Sequence, residues 1–209
     1  MAEALDVAAL TEWLKRAAAT IAAQQRYLSE LDAAIGDGDH GANLARGFNA
    51  VIAKLGTPAD PADLFKTVGM TLIGTVGGAS GPLYGSFFLE MAKAAQVGTA
   101  LDAAAWRRTL AAGVAGVVAR GKAEPGDKTM VDALTPAVTA LNGPAATPAP
   151  LATALAASAA AARQGAKATV PMIARKGRAS YLGERSAGHP DPGATSSAML
   201  LAALAEAAA

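Results

Sequence analysis

Residues 36–41 read Gly36-Asp37-Gly38-Asp39-His40-Gly41, and the fold turns on how they are taken. They match G-x-G-x-x-G, a dinucleotide fingerprint that works only between a β-strand and a helix, where bare backbone amides meet a pyrophosphate. The residues ahead of it, from about Ala4 to Leu31, place Leu10, Leu14, Ile21 and Leu28 near one helical face, so a helix leads in. Two aspartates also occupy the variable positions, and carboxylates repel phosphates unless a cation lies between. The parallel-sheet reading fails. The stretch is a loop between helices.

The same alternation of helix and breaker continues outward. Segments of about Ala42–Leu55, Pro61–Val76, Pro82–Gln96, Asp102–Arg120, Met130–Leu141, Leu151–Pro171 and Ala194–Ala207 follow the first. Pro61 opens its helix where the missing N–H does no harm, and Asp102 is a good N-cap. Of the chain, 52% is apolar and only 4% aromatic. Alanine fills the gap, and it is the best helix former. The expectation is a single all-α domain over residues 1–209, an eight-helix antiparallel up-and-down barrel. Alternate loops then share an end. Those after the first, third, fifth and seventh helices are rich in Gly, Asp and Arg. Gly56-Thr57-Pro58, Val97-Gly98-Thr99 and the Pro-Ala stretch near Asn142 look like plain connectors. A site at one mouth of the barrel is expected, because sites sit on loops held by rigid scaffolds.

Composition excludes several classes. Eighteen Lys+Arg against 17 Asp+Glu argue against a general nucleic-acid binder. Without cysteine there is no disulfide framework, thiolate metal site or cysteine nucleophile. Met1 to Asp6 lacks the basic and apolar regions of a secretory signal. No uncharged apolar stretch reaches the roughly 18 residues of a membrane span. A cytoplasmic protein is expected.

The chemistry gathers in three carboxylates, Asp32, Asp37 and Asp39. Carboxylates this close repel one another, and a hard divalent cation such as magnesium is their natural partner. The free N–H groups of the next helix start favour phosphate. Together these are what a magnesium-bridged diphosphate requires. An EF-hand is excluded, because its twelfth position is Phe48. Gly116 to Ala123 falls short of a P-loop, lacking the Ser/Thr and the preceding strand.

Gly77-Gly78-Ala79-Ser80-Gly81-Pro82 reads equally as a helix boundary or as small residues admitting a ligand to the backbone beside the Ser80 hydroxyl. Arg178 and Arg185 are able to pair bidentately with phosphate. His40 fits a base, a nucleophile or a hydrogen-bond donor to phosphate, whereas His189 beside Pro190 reads as structural. Asp127, Lys128 and Asp132 read as salt-bridged residues at a helix start.

Four blocks carry a likeness: Asp32 to Asn43, Gly77 to Gly85, Gly126 to Leu134, and Gly177 to Ser186 continuing through Gly188 to Ser196. In this order they resemble the nucleotide-binding L subunit of dihydroxyacetone kinase across nearly the whole chain. The resemblance implies an eight-helix barrel with the nucleotide at one end. Asp32, Asp37 and Asp39 would hold two magnesium ions, and His40, Gly41, Ala42 and Asn43 would meet the phosphates opposite Ala79 and Ser80. Gly121 and Met130 would line the adenine and ribose pocket, Arg178 would meet the phosphates, and Asp191 with Pro192 would close over the nucleotide. Arg178 and His40 would be the catalytic side chains.

One version of this domain is fused to a substrate domain and uses exchangeable ATP. The other stands alone and keeps ADP as a cofactor, with ATP as its transient phosphorylated form. It takes phosphoryl groups from a phosphohistidine on an M subunit and delivers them to dihydroxyacetone on a K subunit. A chain that begins and ends around one domain favours the second. No residue here suits the ketose, so its site belongs to the partner. The alternatives are an ATP-dependent kinase for another small ketose, and a nucleotide-binding adaptor that docks a transcription regulator. Homodimer formation stays open.

Overall fold

A computed structural model describes residues 3–95, 98–141 and 150–209. The fold is all-α, as expected, with nine α-helices among the described residues: α1 (Val7–Ala23), α2 (Gln25–Ile35), α3 (His40–Lys54), α4 (Pro61–Thr75), α5 (Ser80–Ala94), α6 (Ala103–Gly121), α7 (Val131–Ala140), α8 (Leu151–Ala168) and α9 (Pro192–Ala207). Two short strands, β1 (Leu5–Asp6) and β2 (Ala100–Leu101), pair antiparallel. The expected break at Val97 and the connector near Asn142 fall on residues 96–97 and 142–149, outside the described residues.

The expected first helix is in fact two, α1 and α2, divided at Gln24. No glycine or proline marks the break. Residues 22–27 are all exposed, so no core contact holds one helical register through this turn. Two other starts differ from expectation because carboxylates cap them earlier. Asp191 accepts from Ala194 N at 2.7 Å, and α9 begins at Pro192. Asp32 accepts from the first amides of α3, which begins at His40. Asp102 caps α6 as expected, accepting from Ala105 N at 2.7 Å. Each such cap stabilises its helix by about 1 kcal/mol.

Packing follows chain order. Helix α1 lies on α3, and then α3 on α4 and so on around to α9, which returns to α1. Eight helices thus close a ring, and α2 lies beside it against α3 and α9. Trp13 of α1 fastens the closure, its Nε1 donating to Leu200 O at 2.8 Å. Inside the ring Trp13 meets Trp106 edge-on with centroids 5.6 Å apart, and Phe65, Phe87 and Phe88 extend the cluster. Few aromatics suffice because they are concentrated in one place. No helix among the described residues is long and apolar enough to cross a membrane.

Candidate functional site

The last turn of α2 carries Asp32, and Gly36 ends the helix. The loop turns at Gly38, whose φ of 77° suits glycine. Its fold-back brings the amides of Asp39 and His40 to within 2.9 and 3.1 Å of Asp32 Oδ2. The Asp32 carboxylate therefore satisfies orphan donors of α3, and its other oxygen stays available. Asp32, Asp37 and Asp39 each offer an oxygen, all within 4.8 Å of one another. Three hard oxygen donors of like charge, one of them pinned by backbone amides, fit a magnesium-type ion. Arg178 Nη2 stands 3.1 Å from Asp37 Oδ2.

His40 is buried at the start of α3 and bonded on both ring nitrogens. Nδ1 lies 3.1 Å from Ser80 Oγ and Nε2 lies 2.9 Å from Ser196 Oγ. Ser196 Oγ also lies 2.7 Å from Tyr84 OH, which reaches Ser197 Oγ at 3.1 Å. Burial lowers the His40 pKa, against an upward pull from the Asp32 and Asp39 carboxylates. Burial likewise pushes the Tyr84 phenol up to about 12, so it stays protonated.

A cavity of about 470 Å³ opens at this end of the ring. The loops α2–α3, α4–α5, α6–α7 and α8–α9 all contribute to its lining, and the α3–α4 connection and the described residues of the α5–α6 connection do not. Asp32, Asp37, Asp39, His40, Ala79, Ser80, Gly121, Met130, Arg178, Asp191 and Pro192 all line it. Ile35, Leu83, Val117 and Val131 give it an apolar wall. Gly41, Ala42 and Asn43 do not line it. A Cβ at Gly41 would fall 2.0 Å from Gln25 O of α2, and Asn43 Oδ1 accepts from Arg46 Nη2 at 2.6 Å. Gly41 thus packs α3 on α2, and Asn43 is held by Arg46 of its own helix. Asp191 is buried beneath the cavity, and burial raises its carboxyl to about 7.

One expectation is corrected. Among the described residues Asp127, Lys128 and Asp132 form no salt bridges; all three are buried with backbone partners. Asp132 accepts from Gly126 N and Thr129 N, Asp127 accepts from Glu124 N, and Lys128 donates to carbonyls. The sequence reading also gave no role to Tyr84, Ser196 and Ser197. Consecutive hydroxyls in the first turns of an otherwise alanine- and leucine-rich helix were the available signal.

A closed helical ring whose alternate loops bring a carboxylate trio, an arginine and a helix start to one end cavity is a helical barrel built for an anionic, cation-bridged ligand. The DAK2 domain family matches residues 34–206. The chain is 46% identical over 201 residues to the ADP-binding subunit DhaL of the PEP-dependent dihydroxyacetone kinase of Escherichia coli, covering 95% of this chain and 96% of that one. It is 43% identical to the corresponding subunit of the PTS-dependent kinase of Lactococcus lactis, over 97% of this chain and 98% of that one. The dihydroxyacetone kinase of C. freundii, solved with AMP-PNP and Mg2+, superposes with a TM-score of 0.69 at 31% identity, over 95% of this chain and 34% of that one. The chain belongs to the DAK2 domain family.

Proposed function

We propose that this chain is the ADP-binding subunit of a phosphoenolpyruvate-dependent dihydroxyacetone kinase. The observation that carries the reading is the convergence of Asp32, Asp37 and Asp39 with Arg178 and the start of α3 on one cavity. The full-length similarity to DhaL subunits supports it.

The three aspartates would hold two magnesium ions, which supply charge neutralisation to the nucleotide phosphates. Ala79, Ser80 and His40 at the start of α3 would flank the phosphates, with Gly121 and Met130 against the base and ribose. Asp191 and Pro192 would close the inner wall, and Asp191 holds the start of α9 by its cap. Arg178 is exposed and already directed at Asp37, so it would follow the phosphates and place positive charge where phosphoryl transfer develops negative charge. His40 would hold Ser80 in place, since both its nitrogens are engaged by hydroxyls. Phosphoryl flow would run from a phosphohistidine on an M subunit, through the nucleotide, to dihydroxyacetone on a K subunit. The chain would act as one domain in the cytoplasm.

Reconstitution with the donor and acceptor subunits of a relative tests this. Dihydroxyacetone phosphate formed from phosphoenolpyruvate only when this chain is added is the expected result. Formation from ATP without the donor subunit would point instead to the exchangeable-ATP version. No transfer from either source would overturn the assignment.

A further inference from the structure

The chain leaves α8 at Ala168 and returns to α9 at Pro192 through a long excursion that carries Arg178 to Asp37. Its two ends meet at the base. Gly188 N donates to Val170 O at 2.7 Å, and Asp191 N donates to Thr169 Oγ1 at 2.9 Å. A side chain from another loop enters between them. Lys128 Nζ lies 2.7 Å from Thr169 O, 3.1 Å from Met172 O and 3.4 Å from Val170 O on the outgoing arm. It lies 2.5 Å from His189 O on the returning arm. Lys128 is 1% exposed. Its ammonium is a second donor to Thr169 O and Val170 O, which also accept from Met172 N and Gly188 N. Among the described residues it is the donor that Met172 O and His189 O share.

Its backbone gives a second, independent observation. Lys128 has φ 62°, in the left-handed region that a β-carbon disfavours. A residue stays there only where its surroundings over-determine it. One residue earlier, Asp127 O accepts from Arg175 N at 3.1 Å, so the same turn also grips the excursion by its backbone. Lys128 also lines the cavity beside the Asp191 carboxylate, yet its hydrogen bonds go to these carbonyls of the excursion.

We infer that Lys128 is a positioning residue, a clasp that shuts the base of the 169–191 excursion and so holds Arg178 over the carboxylate trio. Without the ammonium, Met172 O on the outgoing arm and His189 O on the returning arm lose the donor that joins them, and their dipoles are left facing one another unpaired. The excursion relieves this only by opening to water, which moves Arg178 away. The effect on nucleotide rests on the function proposed above; the effect on the excursion does not.

The test uses the full chain with Lys128→Met, which keeps length without charge, and Lys128→Gly, which also relieves the left-handed backbone. Trypsin reports the excursion directly through cleavage at Arg175, Lys176, Arg178 and Arg185. Both variants are expected to be cut there about tenfold faster than the wild type, and ethylammonium, which can refill the carbonyl site of the glycine variant, is expected to slow its cutting, whereas tetramethylammonium, with no N–H, is not. Equal cutting in wild type and variants, or rescue by tetramethylammonium, would overturn the clasp.

A double-mutant cycle on Mg-ADP affinity separates positioning from general damage. Lys128→Met is expected to weaken ADP about tenfold when Arg178 is present and less than about twofold in an Arg178→Ala background. Equal losses in both backgrounds would overturn action through Arg178. If the wild type binds no ADP, the functional proposal fails while trypsin still decides the clasp. Amide exchange on the wild type needs no variant: the Gly188 amide is expected to exchange as slowly as the helix core. Fast exchange there would contradict a closed base.

Discussion

Asp32 has two duties that substitution can separate. Its Oδ2 takes the amides of Asp39 and His40 at 2.9 and 3.1 Å, while the carboxylate also sits in the trio. Asp32→Ala removes both. Losing the two amide bonds is expected to cost about 1–3 kcal/mol. For a chain of this size that is a fall in Tm of roughly 2–12 °C, at about 2–4 °C per kcal/mol. Asp32→Asn keeps an oxygen for the amides and loses only charge. That loss forfeits about 0.3–1 kcal/mol at the helix start. It also relieves repulsion with Asp37 and Asp39, about 1 kcal/mol for each pair near the aqueous limit that suits these solvent-facing groups. Without metal the asparagine variant is therefore expected to melt at or slightly above the wild type.

Magnesium reverses that order. A ligand at a hundred times its Kd stabilises by about 2.7 kcal/mol, or roughly 5–11 °C here. The wild type is expected to gain this, and neither variant is. Thermal melts of the wild type and both variants, in chelator and in saturating magnesium with ADP, measure each of these shifts. An alanine variant that melts with the wild type in chelator would refute the capping argument. An asparagine variant that gains as much as the wild type from magnesium would refute Asp32 as a ligand.

Other expectations follow from single contacts. Arg178 is largely exposed and pairs only with Asp37 among the described ion pairs, so Arg178→Ala is expected to keep Tm within about 2 °C and to slow phosphoryl transfer; unchanged turnover with saturating donor would contradict this. Gly41→Ala drives a Cβ to 2.0 Å from Gln25 O, and separating α2 from α3 is expected to cost about 1–3 kcal/mol in a denaturant titration and to loosen the trio. Burial holds the Asp191 carboxyl at about 7, so the folded chain keeps a proton that the unfolded chain releases near about pH 4. Stability from this group is complete below that lower value and is lost as pH rises through 7. Asp191→Asn, which keeps an oxygen for the Ala194 amide, is expected to flatten this decline, and an unchanged slope of Tm against pH would count against the burial argument.

The helices and their sorting into two ends were legible because alanine-rich segments and Gly/Pro breakers are local signals. The carboxylate trio was legible for the same reason: seven residues separate Asp32 from Asp39, and one turn joins them. The break at Gln24 was not, since it comes from an exposed stretch with no core to hold it straight, which only the packed ring defines. The polar chain from Ser80 through His40 to Ser196 and Tyr84 joins residues 40 to 156 positions apart, and no spacing rule reaches that far. Lys128 misled for a related reason. Beside Asp127 and Asp132 its charge suggests ion pairs, yet its partners are carbonyls from 41 to 61 residues away, which carry no side-chain signature.

The most direct measurement is native mass spectrometry of the purified chain, followed by denaturation and identification of any released nucleotide. One ADP retained with two magnesium ions is the expected mass, with both lost together when the metal is chelated. A chain that carries no nucleotide and takes up none at any magnesium concentration would contradict the assignment of the end cavity.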